Sequence, residues 1–178
     1  MKVICIGDSN TWGYDPRSYF GGRYEANCRW VDILAEKTGW VVINEGINGM
    51  RIPRKKAFFS ENADRWLIML GTNDILQGDS AEDAASNMRL FLKCIPSDPQ
   101  NILLAAPPVL RYGTWVSDEK QIEESGKLIS FYRALSVEMG IGYVNTAEWE
   151  LPISFDGVHF TEHAHIIFAD SIKKYLVK

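Results

Sequence analysis

Short apolar runs alternate along the chain with segments in which apolar residues recur at helical spacing. The apolar runs are nearly continuous, and Gly or Pro closely follows most of them. Continuous apolarity, rather than strict alternation, indicates strands that are covered on both faces, as in a parallel sheet. The predicted strands span residues 2–6, 41–44, 66–70, 101–106 and 142–144.

Four helices are predicted from apolar residues that share one face of the helical period. They cover 30–37, 81–95 with Ser80 as N-cap, a segment from near Ser117 to Gly140, and a last helix capped by Thr161. Because strands and helices alternate, the sequence predicts an α/β fold with a central parallel sheet of about five strands. Helices on both faces would make it a three-layer α/β/α sandwich with right-handed crossovers.

Length and charge narrow the classes of function. A chain of 178 residues suits one domain, and we expect a single domain over residues 1–178. Lys and Arg number 19 against 23 Asp and Glu, which gives a net charge of -4. Non-specific binders of nucleic acid or of anionic membranes normally carry the opposite sign, so neither is expected as a partner.

The three cysteines, Cys5, Cys28 and Cys94, lie among apolar or helical neighbours at no metal-like spacing. We therefore expect buried free thiols, which favour a reducing compartment. The apolar stretch before Gly7 is too short for the core of a signal peptide, and no run has the length of a membrane span. These features predict a cytoplasmic protein.

Polar or Gly-rich segments follow the predicted strands, where open parallel sheets form their ligand sites. They are residues 7–13, 45–49 and 71–74, together with 156–159 before the last helix. Such a set can supply what ester cleavage needs, namely a nucleophile, a base, an orienting group and donors for the oxyanion. The sequence therefore favours a hydrolytic site at this edge of the sheet.

Ser9, in a tight turn at a strand end, is the candidate nucleophile. His159 is the candidate base, since an imidazole exchanges protons near neutral pH. Asp156, three residues earlier, is the candidate group that orients the imidazole, and a backbone carbonyl is the alternative orienting group. Asp8 is expected to be structural and to bond the amides of the turn.

The expected oxyanion donors are the backbone N–H groups of Ser9 and Gly49 and the side-chain amide of Asn73. A glycine lets the backbone approach a substrate closely, and an asparagine amide donates without adding charge. The simpler alternatives are that Gly49 supplies a positive φ and that Asn73 stabilises its own turn. The first of these is compatible with donation by the Gly49 N–H.

Four motifs in this order resemble the sequence blocks of the SGNH (GDSL-type) hydrolase family. They are Gly7-Asp8-Ser9, Gly49, Gly71-Thr72-Asn73-Asp74 and Asp156-x-x-His159. The extension of the first block as Asn10-Thr11-Trp12-Gly13-Tyr14 is similar to the arylesterase and acyltransferase-like branch. The resemblance implies a flavodoxin-like fold and a serine esterase that uses Ser9, His159 and Asp156, with Gly49 and Asn73 completing the oxyanion hole.

One residue departs from the family pattern: Asn10 stands where the family most often has Leu. Because it lies beside the nucleophile and outside the catalytic machinery, we expect it to influence substrate preference rather than mechanism. Trp12 and Phe155 are the aromatic residues expected to line the substrate pocket. The basic run over residues 51–56 (Arg51, Arg54, Lys55 and Lys56) is interpreted as a solvated loop face, with an anionic-substrate rim or a partner contact as the alternative.

The predicted function is hydrolysis of a small-molecule carboxylic ester, with no cofactor and no metal. His159, His163 and His165 invite a metal site, but no cysteine lies nearby and the last two point to different sides of a helix. Acyl transfer and carbohydrate O-deacetylation are the alternatives within the enzyme class. A catalytically silent binding module and a flavin or phosphate binder are the alternatives outside it, and homo-oligomer formation is left open.

Overall fold

Five parallel strands form one sheet in the order β2-β1-β3-β4-β5. The computed structural model describes residues 1–55 and 62–177. The strands are β1 (Lys2–Gly7), β2 (Val41–Gly46), β3 (Arg65–Met69), β4 (Ile102–Ala106) and β5 (Gly142–Asn145). This is the flavodoxin-like order, in which the crevice beside the first strand lies at a change of winding direction. The predicted parallel sheet and its strands are confirmed.

Six α-helices connect or follow the strands in the described ranges. They are α1 (Ser9–Trp12), α2 (Trp30–Thr38), α3 (Thr72–Leu76), α4 (Ala81–Leu92), α5 (Glu119–Met139) and α6 (Glu162–Leu176). Short 3-10 helices lie at Ala26–Cys28, Pro99–Asn101 and Thr146–Trp149. Among these described helices, none combines the length and the apolar character that crossing a membrane requires.

Alternate side chains of the interior strand β1 enter two separate cores. Ile4 and Ile6 pack with the apolar faces of α4 and α5. Val3 and Cys5 pack with the apolar faces of α2 and α6. Because both faces of the sheet are covered, the continuous apolarity of β1 is explained, and the three-layer sandwich is confirmed.

The long helices begin and end where their capping residues stand. Ser80 Oγ accepts from the Asp83 N–H at the start of α4, and Thr161 Oγ1 accepts from the Ala164 N–H at the start of α6. Gly140 ends α5 in the left-handed conformation, with φ 66°. The prediction missed α1 and α3 because each is too short to show a period.

The three cysteines differ in their surroundings. All are free thiols, as expected. Cys5 is buried in the core, and burial raises the pKa of its thiol. Cys28 and Cys94 are partly exposed, so the expectation of three buried thiols was wrong for these two, which lie at helix ends rather than in the sheet.

Candidate active site

Ser9 is the first residue of α1, directly beyond the carboxyl end of β1. Asp8 caps the helix, and its Oδ1 accepts from the Asn10 N–H at 3.0 Å, as expected for a structural aspartate. A Cβ on Gly7 would lie 2.0 Å from the Thr11 hydroxyl oxygen, so only glycine lets the chain turn this tightly. The turn places the Ser9 N–H in the first turn of a helix, where no intrahelical acceptor exists.

Asp156 and His159 share one hairpin-like turn before α6. The Ser154 N–H donates to the His159 carbonyl at 2.8 Å, and Ile153 pairs with Phe160 as an antiparallel bridge. Asp156 Oδ1 accepts from the N–H groups of Val158 and His159, at 2.9 and 3.0 Å. The Asp-x-x-His spacing thus fixes one carboxylate oxygen on the turn and leaves the other for the imidazole.

A continuous hydrogen-bond chain joins Ser9, His159 and Asp156. Asp156 Oδ2 lies 2.7 Å from His159 Nδ1, and His159 Nε2 lies 2.9 Å from Ser9 Oγ. Ser9 is 3% exposed, His159 1% and Asp156 2%. Burial by itself disfavours ionised Asp156, but the hydrogen bonds from the imidazole and from two backbone N–H groups outweigh it and lower the pKa of this carboxyl. Because an ionised carboxylate only accepts, Nδ1 carries the proton and Nε2 is left to accept from the Ser9 hydroxyl.

Two aromatic rings cover the imidazole. The Tyr14 ring centroid lies 4.4 Å from that of His159, and the Trp115 centroid lies 5.0 Å away with its plane nearly perpendicular. Trp115 is 54% exposed, whereas the imidazole that it covers is buried. Sequence reasoning did not assign either ring to the histidine, because the loop that carries Trp115 follows a different strand.

The loop that carries Trp115 interlocks with the turn that carries Asp156. The Trp115 N–H donates to the Asp156 carbonyl at 3.1 Å, and the Arg111 N–H donates to the Gly157 carbonyl at 3.0 Å. A Cβ on Gly113 would lie 2.2 Å from the Asp156 carbonyl carbon, and one on Gly157, where φ is 83°, would lie 2.0 Å from the Arg111 oxygen. Two backbones can approach this closely only because both positions are glycine.

The Gly49 loop is tied to both β1 and α3. The Ile47 N–H donates to the Gly7 carbonyl at 3.0 Å, and Asn73 Nδ2 donates to the Met50 carbonyl at 3.0 Å. Gly49 is exposed and has φ 74°, so the positive φ considered from the sequence is present. The loop therefore brings Gly49 beside Asn73, next to the strand end that leads to Ser9.

Ion pairs stabilise this side of the site. Arg51 Nε lies 3.5 Å from Oδ1 of the fully buried Asp74, and Arg51 Nη2 lies 2.6 Å from Asp79 Oδ2. The Ile52 N–H donates to Asp74 Oδ2 at 3.0 Å. Burial raises the pKa of Asp74, although the Ile52 N–H and Arg51 both oppose this rise.

These ion pairs correct the interpretation of the basic run. Arg51 is only 29% exposed in its side chain, and Arg54 Nη2 also contacts Asp79, at 2.5 Å. The two arginines therefore tie one loop to another, because the acidic residues after Asn73 face them. Arg54 and Lys55 are exposed and fit the expected solvated face, although Arg54 is paired with Asp79, and Lys56 lies outside the described residues.

Asn10 lies beside the nucleophile, as expected, and packs against the turn that carries His159. It is 2% exposed, and its side-chain amide contacts the backbone on both sides of His159. In the sequence, the departure from Leu singled out Asn10. The residues that its side chain contacts could not be predicted, because they lie about 150 residues away along the chain.

The expected pocket residues have other contacts. Trp12 is half-buried, and the Arg23 guanidinium lies over its ring at 5.3 Å. Phe155 is 62% exposed, and its carbonyl accepts from the Thr114 N–H. Their role in substrate binding stays a prediction.

The three histidines of the last motif diverge. Both ring nitrogens of His159 are engaged by Ser9 and Asp156, His163 is exposed, and His165 is buried with Nδ1 accepting from the Trp30 N–H at 3.3 Å. Within residues 1–55 and 62–177, no group of three or more His, Cys, Asp or Glu side chains is arranged to hold a metal ion.

The sequence pattern of the GDSL-like Lipase/Acylhydrolase family matches residues 5–166. This match spans most of the chain, from β1 into α6. The chain therefore belongs to this family and is a carboxylic ester hydrolase. No curated protein matches the chain significantly.

Solved structures of esterases share the fold. A putative arylesterase from Agrobacterium tumefaciens str. C58 is 27% identical, with 98% of this chain and 99% of that chain covered and a TM-score of 0.79. A carbohydrate acetylesterase family member from Sinorhizobium meliloti is 23% identical, with 99% of each chain covered and a TM-score of 0.80. The native aryl esterase of M. smegmatis is 22% identical, with 98% and 99% covered and a TM-score of 0.79.

Proposed function

We propose that the chain hydrolyses small carboxylic esters through an acyl-enzyme on Ser9. The observation that carries this proposal is the buried hydrogen-bond chain from Ser9 Oγ through His159 to Asp156, at 2.9 and 2.7 Å. A nucleophile, a base and a carboxylate that orients the base are the parts that serine ester hydrolysis requires. The roles of these residues follow from which atom can donate and which can accept.

Acylation begins when Ser9 Oγ attacks the ester carbonyl. His159 Nε2 takes the hydroxyl proton as the bond forms, and the ionised Asp156 stabilises the resulting imidazolium through Nδ1. The tetrahedral intermediate then collapses, the bond to the alcohol oxygen breaks, and Nε2 returns the proton to the leaving alcohol. Ser9 is left as an ester of the acyl group.

The carbonyl oxygen gains negative charge in the tetrahedral intermediate and needs donors. The Ser9 N–H, in the first turn of α1, and the Gly49 N–H are the proposed backbone donors. Asn73 Nδ2 carries two hydrogens, of which one binds the Met50 carbonyl and the other is left for the oxyanion. Loss of one such donor typically costs ~10²–10³ in rate.

Deacylation repeats these steps with water in place of the alcohol. His159 Nε2 takes a proton from water, the hydroxide attacks the acyl carbonyl, and Ser9 leaves with the proton returned by Nε2. If an alcohol takes the place of water, the same acyl-enzyme gives acyl transfer. Aryl esters and acetylated carbohydrates are the two substrate classes that the names of similar structures suggest.

The central test is the Ser9→Ala substitution, assayed with p-nitrophenyl acetate. We expect turnover to fall by ~10⁴-fold or more, because the nucleophile is lost, and a fluorophosphonate to label the wild type but not the variant. Ser130→Ala is the matched control, since Ser130 is exposed on α5, far along the chain from the motifs of the site, and its hydroxyl donates to the Lys127 carbonyl. Retention of wild-type turnover by Ser9→Ala would show that the proposal is wrong.

A panel of esters separates the substrate classes. We expect hydrolysis of both short acyl aryl esters and acetylated sugars to depend on Ser9, with different kcat/KM values. Adding a competing alcohol partitions the acyl-enzyme between water and alcohol, and the ratio of the products measures transfer. A ratio that does not change with alcohol concentration would exclude acyl transfer to that alcohol.

A further inference from the structure

We propose that Asn10 is a positioning residue for His159, holding the backbone of the base at the distance that Ser9 requires. The inference rests on the proposed function, since it assigns His159 as the base. Asn10 follows the nucleophile directly in the chain, and its side chain contacts the residues immediately before and after the base. One residue thus connects the two groups between which the proton moves.

Two hydrogen bonds define the contact. Asn10 Oδ1 accepts from the Phe160 N–H at 2.9 Å, and Asn10 Nδ2 donates to the Val158 carbonyl at 3.2 Å. A backbone N–H can only donate and a carbonyl can only accept, so these partners fix which end of the amide is oxygen. The amide therefore bridges the backbone across His159 in one orientation.

The backbone of residues 158–160 has no other support of this kind from α1. Asp156 Oδ1 accepts from the N–H groups of Val158 and His159, and the His159 carbonyl accepts from the Ser154 N–H. Those three bonds are internal to the turn. The loop that carries Trp115, and the Tyr24 hydroxyl that donates to the Phe160 carbonyl at 3.3 Å, also hold the turn, but neither belongs to α1. The two bonds from Asn10 are external, and they relate the turn to α1.

Asn10 is itself held in place. Its carbonyl accepts from the Trp30 indole N–H at 3.0 Å, and Trp30 is fully buried in α2. Its own N–H donates to Asp8. Because both backbone groups and both ends of the side chain are engaged in a buried position, the amide has little freedom to follow a displaced turn.

A leucine at this position could make neither bond. It is close to asparagine in size, so the Ser9 turn would be retained, but the Val158 carbonyl and the Phe160 N–H would be left buried without these partners. A shift of the turn would lengthen the 2.9 Å contact between His159 Nε2 and Ser9 Oγ. A displacement of about 1 Å in a reacting group can cost about 10²-fold in rate.

The test compares the steady-state kinetics of Asn10→Leu with those of the wild type on p-nitrophenyl acetate. We expect kcat to fall about 10- to 100-fold while KM stays nearly constant, since Asn10 acts on the base rather than on the substrate. Asn10→Ala is the second variant, because it removes both bonds without adding bulk if the leucine does not fold. Thermal unfolding of each variant measures the structural cost separately.

A double-mutant cycle shows whether the effect passes through the base. In the His159→Ala background, we expect Asn10→Leu to leave the residual turnover nearly unchanged, because the group that it positions is absent. An equal loss in both backgrounds would overturn the proposal. So would a folded Asn10→Leu and Asn10→Ala pair with wild-type kcat, even if both unfold at lower temperature.

Asn44 offers a matched control on the other side of α1. Its Nδ2 donates to the Thr11 carbonyl at 2.9 Å, and its Oδ1 accepts from the Gly46 N–H at 2.9 Å. Asn44→Leu therefore loses the same two kinds of bond near the same helix without touching the His159 turn. We expect lower stability and little change in kcat; a loss as large as that of Asn10→Leu would assign the effect to a loosened α1 and overturn the proposal.

Failure of the proposed function has a different signature. If Ser9→Ala and His159→Ala keep turnover, the assigned nucleophile and base are wrong whatever Asn10→Leu does. If both lose turnover and Asn10→Leu does not, the proposed function stands and the positioning role alone is rejected.

Discussion

The two sides of the site are held together by different contacts. On the proton side, Ser9, His159 and Asp156 are almost fully buried and are joined by short hydrogen bonds. On the proposed oxyanion side, Gly49 is exposed and Asn73 is half-buried. There the loop is held by a hydrogen bond to the Gly7 carbonyl, by one from the Asn73 side-chain amide, and by the ion pairs of Arg51 with Asp74 and Asp79.

This difference predicts how the activity responds to substitutions on each side of the site. A buried hydrogen-bond chain with directional partners allows only one arrangement. Replacing one carboxylate oxygen by an amide NH₂ therefore turns an acceptor into a donor and reverses the chain. Ion pairs between long side chains are less directional, and a partly exposed pair is weakened by solvent. We therefore expect a large, all-or-none response on the proton side and a graded one on the other.

The largest expected effect comes from Asp156→Asn. Asp156 Oδ1 accepts from two backbone N–H groups, so the asparagine oxygen would keep that position and its NH₂ would face His159 Nδ1. The imidazole would then carry its proton on Nε2, where it cannot accept from Ser9. We expect kcat to fall by about 10⁴-fold, measured with p-nitrophenyl acetate.

Asp170→Asn is the control for this substitution, because Asp170 pairs with Lys37 on the surface. We expect it to keep wild-type turnover. A small loss in Asp156→Asn would indicate that a backbone carbonyl orients the imidazole, which is the alternative weighed from the sequence.

A smaller effect is expected from Arg51→Met. The substitution leaves the buried Asp74 carboxylate with the Ile52 N–H but without its cation, so the loop that carries Gly49 loses part of its anchor. We expect kcat to fall about 10-fold with little change in KM, because the donors move away from where the oxyanion forms. Steady-state kinetics at constant ionic strength measure the change.

Arg54→Met tests whether the loss in Arg51→Met comes from the contact with Asp74 or from the removal of one positive charge near the site. Arg54 contacts only Asp79 among these acidic residues and is more exposed than Arg51. Its removal is expected to change kcat very little. Equal losses in the two variants would attribute the effect to net charge near the site rather than to the contact with Asp74.

The smallest expected effect concerns stability rather than rate. Burial, together with smaller contributions from the charges of Arg29 and His159, lowers the pKa of His165 from 6.5 to about 3. The unfolded chain therefore binds a proton at His165 between about pH 6.5 and 3 while the folded chain does not, so stability is lost as pH falls through this window. The loss is about 1.4 kcal/mol per pH unit, or about 2 kcal/mol at pH 5.

His165→Asn tests this, since an asparagine oxygen can still accept from the Trp30 N–H but does not titrate. Between pH 7 and pH 5, its free energy of unfolding in urea is expected to fall by about 2 kcal/mol less than that of the wild type. His163→Asn, on the exposed side of the same helix, should follow the wild type. Parallel curves for all three proteins would contradict the prediction.

Much of the fold could be predicted because its rules are local. Apolar runs marked the strands, and caps such as Ser80 and Thr161 marked the starts of helices. The residues of the proton side could also be predicted, since Asp156 and His159 lie in one turn and Ser9 follows a strand directly. The hydrogen bonds that join these three residues agree with that prediction, and their catalytic roles belong to the proposed function.

The remaining features depend on segments that meet only in the folded chain. Asn10 and Val158 are 148 residues apart, and Arg51 in the Gly49 loop meets Asp74 in α3. No periodicity relates such residues, because their contact is set by the order of the strands, which the sequence did not reveal. The basic run was misinterpreted for this reason: its acidic partners lie after another strand.

The interlocked glycines Gly113 and Gly157 restrict how this enzyme can diverge. A methyl group on either one would overlap the backbone of the opposite loop, so neither loop can accept a side chain there unless the other moves away first. Such a change needs two mutations at once, and each alone would displace Asp156 or Trp115. Tyr19 and Phe20, which are both 93% exposed, face no such restriction, so a single mutation can change either of them.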